Sequence, residues 1–231
     1  MSHLPMASPM SISDHAGSAE AQLRKGFGPR VRKLHARIGK AHHKAEGMAF
    51  SRALLEGQAT PLQLAALIRA LVPAYALLEQ ESPVLASALG AAAIPWPDLA
   101  RGSALAHDVA ALSAVGPTPV SAAAAIWLEQ MKALVRQSPH RLMAHVYVRY
   151  GGDLSGGQQL AEQANAILRR QGLPSLRFWS FEQDLTWLKQ SLHDGFEQMD
   201  LSESEEEELL EEAEVAFGAT QRLLAELADL G

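Results

Sequence analysis

From Val31 onwards apolar residues return every third or fourth position, and no stretch alternates with the period of two that a half-buried strand requires. Alanine and leucine dominate and β-branched residues are sparse. Stripes of this kind are buried by packing helix on helix. Val31, Leu34, Ile38 and Ala45 mark one face of a helix over about 29–56. Thr60 then caps a second helix with Pro61 in its first turn. Its apolar face is Leu64, Leu67, Ile68, Leu71, Tyr75 and Leu78, and Pro73 is expected to kink it. Further helices are expected over about 97–112, 118–136, 140–171 and 181–199. The last begins at Ser202, where Ser202-x-x-Glu205 forms a capping box and Leu210, Ala213, Phe217 and Leu224 turn inward. The pattern predicts an all-α, single-domain helical bundle over 22–231. Residues 1–21, rich in Ser, Pro, Met and Ala, are expected to form a disordered leader.

Composition removes several functions. The chain has no cysteine, which excludes disulfides, thiolate nucleophiles and cysteine-ligated zinc or iron–sulfur centres. That fits a reducing, cytoplasmic setting. A net charge of −6 argues against a nucleic-acid partner. Residues 1–17 lack the basic and apolar regions of a secretory signal. The longest uncharged run, Val109 to Leu128, would span a membrane by length, but Gly116-Pro117-Thr118-Pro119 breaks it. The chain ends in the amphipathic stretch Leu223 to Gly231, so a soluble protein with no membrane anchor is expected. Charge is uneven: eight basic and no acidic residues lie between Arg24 and Lys44, eleven acidic and no basic ones between Asp194 and Glu214. The acidic run reads as a solvated face.

The most informative segment is Tyr147-Val148-Arg149-Tyr150-Gly151-Gly152-Asp153-Leu154-Ser155-Gly156-Gly157-Gln158. Four glycines in a helical pattern cost about 1 kcal/mol each relative to alanine. A helix bearing that cost has its backbone close to something or bends there. Gly152 and Gly156, and likewise Asp153 and Gly157, are four apart, which leaves one side nearly bare beside a single carboxylate. Such a face suits a broad, flat ligand with a polar reaction centre. A plain interhelical loop explains the glycines equally simply. Leu154-Ser155-Gly156-Gly157-Gln158 is also the signature of cassette ATPases, but its partner GxxxxGK[ST] is missing: Gly39-Lys40 is followed by Ala41, and Leu34 stands where the first glycine should be.

Among nine histidines, His42 stands out in Ala41-His42-His43-Lys44-Ala45-Glu46, because Glu46 one turn on can orient its ring as a metal ligand. His35 lies two turns earlier on the same stripe. A zinc or di-iron site is the rival, but a di-iron bundle would need Glu-x-x-His pairs, which are absent. A single histidine facing an open position is what an oxygen-handling haem protein uses. His145 reads as structural.

Together the two segments resemble haem oxygenase. His42-x-x-Ala45-Glu46 is similar to its proximal helix, and Tyr147 to Gln158 to its glycine-kinked distal helix. The likeness extends over most of 30–227, including Glu211-Glu212-Ala213-x-x-Ala216-Phe217. It implies haem held between those two helices and oxidised by O2 and electrons to biliverdin, carbon monoxide and ferrous iron, as substrate and cofactor in one. It implies His42 as the iron ligand with Glu46 as its partner, Gly152 and Gly156 against the macrocycle, and Asp153 holding the water that delivers protons. Tyr75 and Arg149 would complete that proton network, while Tyr147 and Lys189 would contact propionates. His35 stands where a lysine is usual and His193 where an arginine is usual, which would make anchoring pH-dependent across pH 5.5–8, around the ordinary histidine pKa of about 6.5. Pro117 falls where some relatives carry a second network tyrosine, and Thr220 where some carry an asparagine. Nothing resembles a flavin or nicotinamide site, so electrons are expected from an external ferredoxin, flavodoxin or reductase, docking on the basic stretch. The alternative is a protein that sequesters haem without degrading it; Asp153 and Arg149 favour the enzyme.

Overall fold

The computed structural model describes residues 27–231, and the expected leader lies outside the described residues. Helix α1, Pro29–Glu46, starts behind Gly28 with proline at its first position and ends at Gly47. A two-residue break separates it from α2, Ala49–Leu55, so the single helix expected over 29–56 is two. Helix α3, Pro61–Ala88, opens with a capping box in which Gln63 takes the role usual for glutamate. The Gln63 amide donates to Thr60 Oγ1 at 3.2 Å, and the Thr60 amide to Gln63 Oε1 at 2.8 Å. The helix continues through Pro73 and Pro83.

The stretch expected as one helix over 97–112 divides into α4, Trp96–Leu99, and α5, Gly102–Ala111. The cause is tertiary: the Glu79 carboxylate on α3 takes the Arg101 and Gly102 amides and so caps α5 from outside. Helix α6, Ala122–Gln137, starts where the Ser121 hydroxyl accepts the Ala124 amide, four residues later than expected. Helices α7, Leu142–Ser155, and α8, Gly157–Arg170, meet at Gly156. Helix α9 covers Leu185–Gln198 and α10 covers Glu203–Ala228, the latter opened by the expected Ser202–Glu205 box. Among the described residues no strand occurs.

The core follows the stripes. Val31, Leu34 and Ile38 are buried with Leu210, Ala213 and Phe217, and Leu223 is covered beside a half-buried Leu224. Each fully buried leucine stabilises the bundle by about 1.5–3 kcal/mol. Helix α3 is long and apolar enough to cross a membrane by length and composition, but most of it is buried inside the bundle, packed on α5, α6 and α7.

The two charge runs face each other. Arg30 and Lys33 on α1 both pair with Glu206 on α10, and Arg37 pairs with Glu207. The acidic run is therefore partly consumed in holding α1, and the basic stretch is partly neutralised as a docking face. The buried Arg30 also donates from Nη1 to the Phe196 and Met199 carbonyls at 2.7 Å each, while the Arg30 and Val31 amides bind Glu197 at 3.2 and 2.7 Å.

Candidate functional site

Helical periodicity places Arg149 and Asp153 one turn apart on α7, facing Tyr75 of α3. Tyr75 and Asp153 are buried. The Tyr75 hydroxyl donates to Asp153 Oδ2. Arg149 Nε donates to the same hydroxyl oxygen at 3.3 Å, and its Nη2 stands 3.6 Å from Asp153 Oδ1. Burial raises the Asp153 pKa above the ordinary carboxylate value, against the opposing pull of Arg149 and the Tyr75 hydroxyl. Burial likewise pushes Tyr75 well up, so it keeps its proton as a donor. Edge-on contacts to Tyr150 and Phe178, at 5.5 and 5.2 Å between ring centres, fix the Tyr75 ring. The three residues expected to form a proton network are thus together.

Sequence reasoning missed what surrounds them. Arg149 lies 5.9 Å from the centre of the Trp127 ring on α6. Pro117 lies in the loop before α6, and Trp127 joins Tyr75 as a second aromatic ring beside Arg149. The Trp127 indole donates at 3.0 Å to His145 Nδ1, which leaves the His145 proton on Nε2, donated to Glu212 at 3.0 Å. Arg141 pairs with the same carboxylate at 2.9 Å. His145 is structural, as expected. Behind Tyr150, Arg101 donates to the Phe178 and Ser180 carbonyls at 3.2 and 2.6 Å, and burial lowers its pKa. No spacing in the sequence links these partners.

The glycine motif has two different sides. A Cβ on Gly152 would meet nothing within 4 Å, and one on Gly156 only the Gly152 carbonyl at 4.0 Å. A Cβ on Gly157 would stand 2.6 Å from Trp179 Cδ1, and Gln158 pins that region by donating to the Trp179 carbonyl at 2.9 Å. So Gly152 and Gly156 form the bare, exposed strip, whereas Asp153 and Gly157 point into the protein. This corrects the reading of both pairs as one open side. Gly157→Ala is expected to destabilise the fold by about 1–3 kcal/mol through overpacking. Gly152→Ala should be neutral or stabilising by up to about 1 kcal/mol, because alanine suits a helix better. Thermal unfolding of both variants checks this, and equal melting temperatures would refute the two-sided reading.

His42 projects from α1 with a half-exposed ring, its Nδ1 3.5 Å from Glu46 Oε2 and its ring edge-on to Phe217 at 5.9 Å. Helices α1 and α7 both pack on α10 and α9, with no comparable packing between each other. His43, passed over in the sequence, lies 3.3 Å from the same Glu46 oxygen. A search for residues three or four positions from Glu46 would have found it.

His35 of α1 and His193 of α9 flank Phe27, and Tyr147 of α7 lies beside His193. The Phe27 ring is 5.8 Å from His35 and 4.8 Å from His193, and Tyr147 lies 6.3 Å from His193. Lys189 sits one turn before His193 on α9. Burial, with repulsion from Lys189, lowers the His193 pKa to about 4. By itself the protein therefore holds His193 largely neutral over pH 5.5–8. An unfolded histidine titrates near 6.5, so the unfolded chain takes up this proton first as pH falls. The contribution of His193 to stability is present above about pH 6.5 and is lost towards pH 4. His193→Gln is expected to lose less stability than the parent between pH 7 and pH 4.5 in urea titrations. Parallel losses would refute the assignment.

The sequence matches the haem oxygenase family model over residues 31–226. It is 31% identical over 207 residues to haem oxygenase 1 of Pongo abelii, covering 82% of this chain and 68% of that protein. The fold superposes on haem oxygenase of Leptospira interrogans with a TM-score of 0.76 and 27% identity, covering 86% of this chain and 100% of that one. It superposes on haem oxygenase-2 of Synechocystis, solved with haem and NO, with a TM-score of 0.78 and 26% identity, covering 88% and 86%.

Proposed function

The chain belongs to the haem oxygenase family and is an enzyme of haem degradation, and we propose that it opens haem to biliverdin, carbon monoxide and ferrous iron, using O2 and externally supplied electrons. One observation carries this reading: the open strip over Gly152 and Gly156 runs directly beside a buried carboxylate held by Tyr75 and Arg149. A flat macrocycle fits against a backbone free of side chains, and the half-exposed His42 offers a nitrogen with Glu46 behind it. Bound there, the haem iron supplies O2 activation, which no side chain of this protein can provide.

The protein's own part is placement and proton supply. His42 would ligate the iron, with Glu46 fixing the ring tautomer. As a neutral ligand it pushes less electron density than a thiolate. Gly152 and Gly156 would press the α7 backbone on the other face. Asp153, with Tyr75 donating to it and Arg149 beside it, would hold and pass protons through water into the open volume. Tyr147, Lys189, His35 and His193 would meet the propionates, with His193 entering the site as a neutral hydrogen-bonding group. Electrons would come from a ferredoxin, flavodoxin or reductase in the cytoplasm, and the chain needs no flavin or nicotinamide of its own.

The test is to load the protein with hemin, supply electrons in air and follow the Soret band. Loss of the band with appearance of biliverdin is the expected result. A Soret band that persists through reduction would replace this reading with haem sequestration.

A further inference from the structure

Beside His42, helix α1 carries a second imidazole that haem binding leaves unused. His43 is exposed, and its Nδ1 lies 3.3 Å from the Glu46 oxygen that is 3.5 Å from His42 Nδ1. The donor atoms of the three residues all lie within 4.8 Å of one another. Ligands at ~2.0–2.1 Å from a tetrahedral ion stand about 3.3 Å apart. Two of the three edges therefore already have the required length, and rotation of two exposed rings closes the third. Two imidazoles and a carboxylate with positions left for water suit ferrous iron, cobalt and zinc. The other charged group on this turn is Lys44, and α10 contributes the apolar Phe217 ring and Gln221, whose Nε2 donates to the Ala41 carbonyl at 2.9 Å.

We propose that the haem-free protein binds a divalent first-row transition-metal ion through His42, His43 and Glu46, and that this ion and haem exclude one another because both require His42. Metal capture stands on the geometry of the three residues; the exclusion rests on the reading of His42 as the iron ligand. Such a site would hold ferrous iron after the macrocycle has opened, and would make the empty enzyme inhibitable by zinc.

The probe is Co²⁺, titrated into haem-free full-length protein and followed by calorimetry and by its visible absorption. One site per chain is expected. His43→Ala should weaken Co²⁺ binding at least about tenfold while hemin affinity and the Soret maximum stay unchanged. Glu46→Gln should weaken Co²⁺ binding too. Zn²⁺ added first should slow hemin uptake by the parent protein and not by His43→Ala. Binding at His3 or His15 would persist in every variant and is thereby told apart. Co²⁺ affinity in His43→Ala within about twofold of the parent, or no Co²⁺ site in the parent, would overturn the proposal. If His42→Ala still ligates hemin, the iron-ligand reading and the exclusion fall, while the response of Co²⁺ to His43→Ala decides the metal site by itself.

Discussion

Replacing Asp153 by alanine is expected to slow haem turnover by about 10²–10⁴-fold, the range supplied by a positioned proton donor, with hemin affinity within about twofold of the parent. The carboxylate is 3% exposed and is the acceptor for the Tyr75 hydroxyl and the ion partner of Arg149. Alanine removes the proposed proton relay and leaves the Arg149 charge without its carboxylate. Such losses in the interior cost stability as well, so circular dichroism and a melting temperature accompany the assay. Asp153→Asn keeps the shape and some hydrogen bonds but cannot accept and release a proton at neutral pH, and it should be nearly as slow as alanine. Single-turnover decay of the Soret band, started by a chemical reductant in air, is the measurement. Parent-like decay in Asp153→Ala would remove Asp153 from the mechanism and shift attention to Tyr75.

The second large effect concerns the bare strip. Gly152→Leu is expected to leave the fold intact, since a Cβ there meets nothing within 4 Å. Hemin binding should nevertheless weaken, because the added side chain would stand in the space proposed for the macrocycle. An overpacking cost of about 1–3 kcal/mol corresponds to roughly 5- to 150-fold in affinity. Gly156→Leu should act alike. Hemin titrations read by the Soret band, beside melting curves, separate a blocked site from a damaged protein. Unaltered hemin affinity in Gly152→Leu would mean the ligand lies elsewhere.

Much of this molecule is legible in local pattern because its helices are amphipathic and capped by their own sequence neighbours. Thr60 and Ser202 cap where their spacing to Gln63 and Glu205 says they should, and helical periodicity aligns Arg149 with Asp153, while Tyr75, on another helix, was expected beside them only from the family resemblance. What escaped was set by distant partners. Glu79, twenty-two residues before Arg101, decides where α5 starts. Trp127 reaches Arg149 from another helix, and its indole direction depends on His145 and Glu212. His193 looks like an ordinary titrating histidine in sequence, whereas burial beside Lys189 moves it to about 4. The two charge runs read as separate surfaces until the bundle brings α1 against α10.

That last pairing has a mechanical side. Helix α1 is moored at its N-terminal end, where Arg30 is buried and bonded to two carbonyls and Glu206 while Glu197 grips two amides. Further along, its polar ties to α10 are the more exposed Lys33 and Arg37 pairs and the Gln221 bond to the Ala41 carbonyl, and surface pairs of that kind hold weakly, while the buried Leu34, Ile38 and Ala45 seat the helix in the core. The strongest polar clamps are thus concentrated at the root of α1. His42 lies twelve residues beyond Arg30, about 18 Å along a helix that rises 1.5 Å per residue, so the groups that moor α1 are distinct from the imidazole it presents.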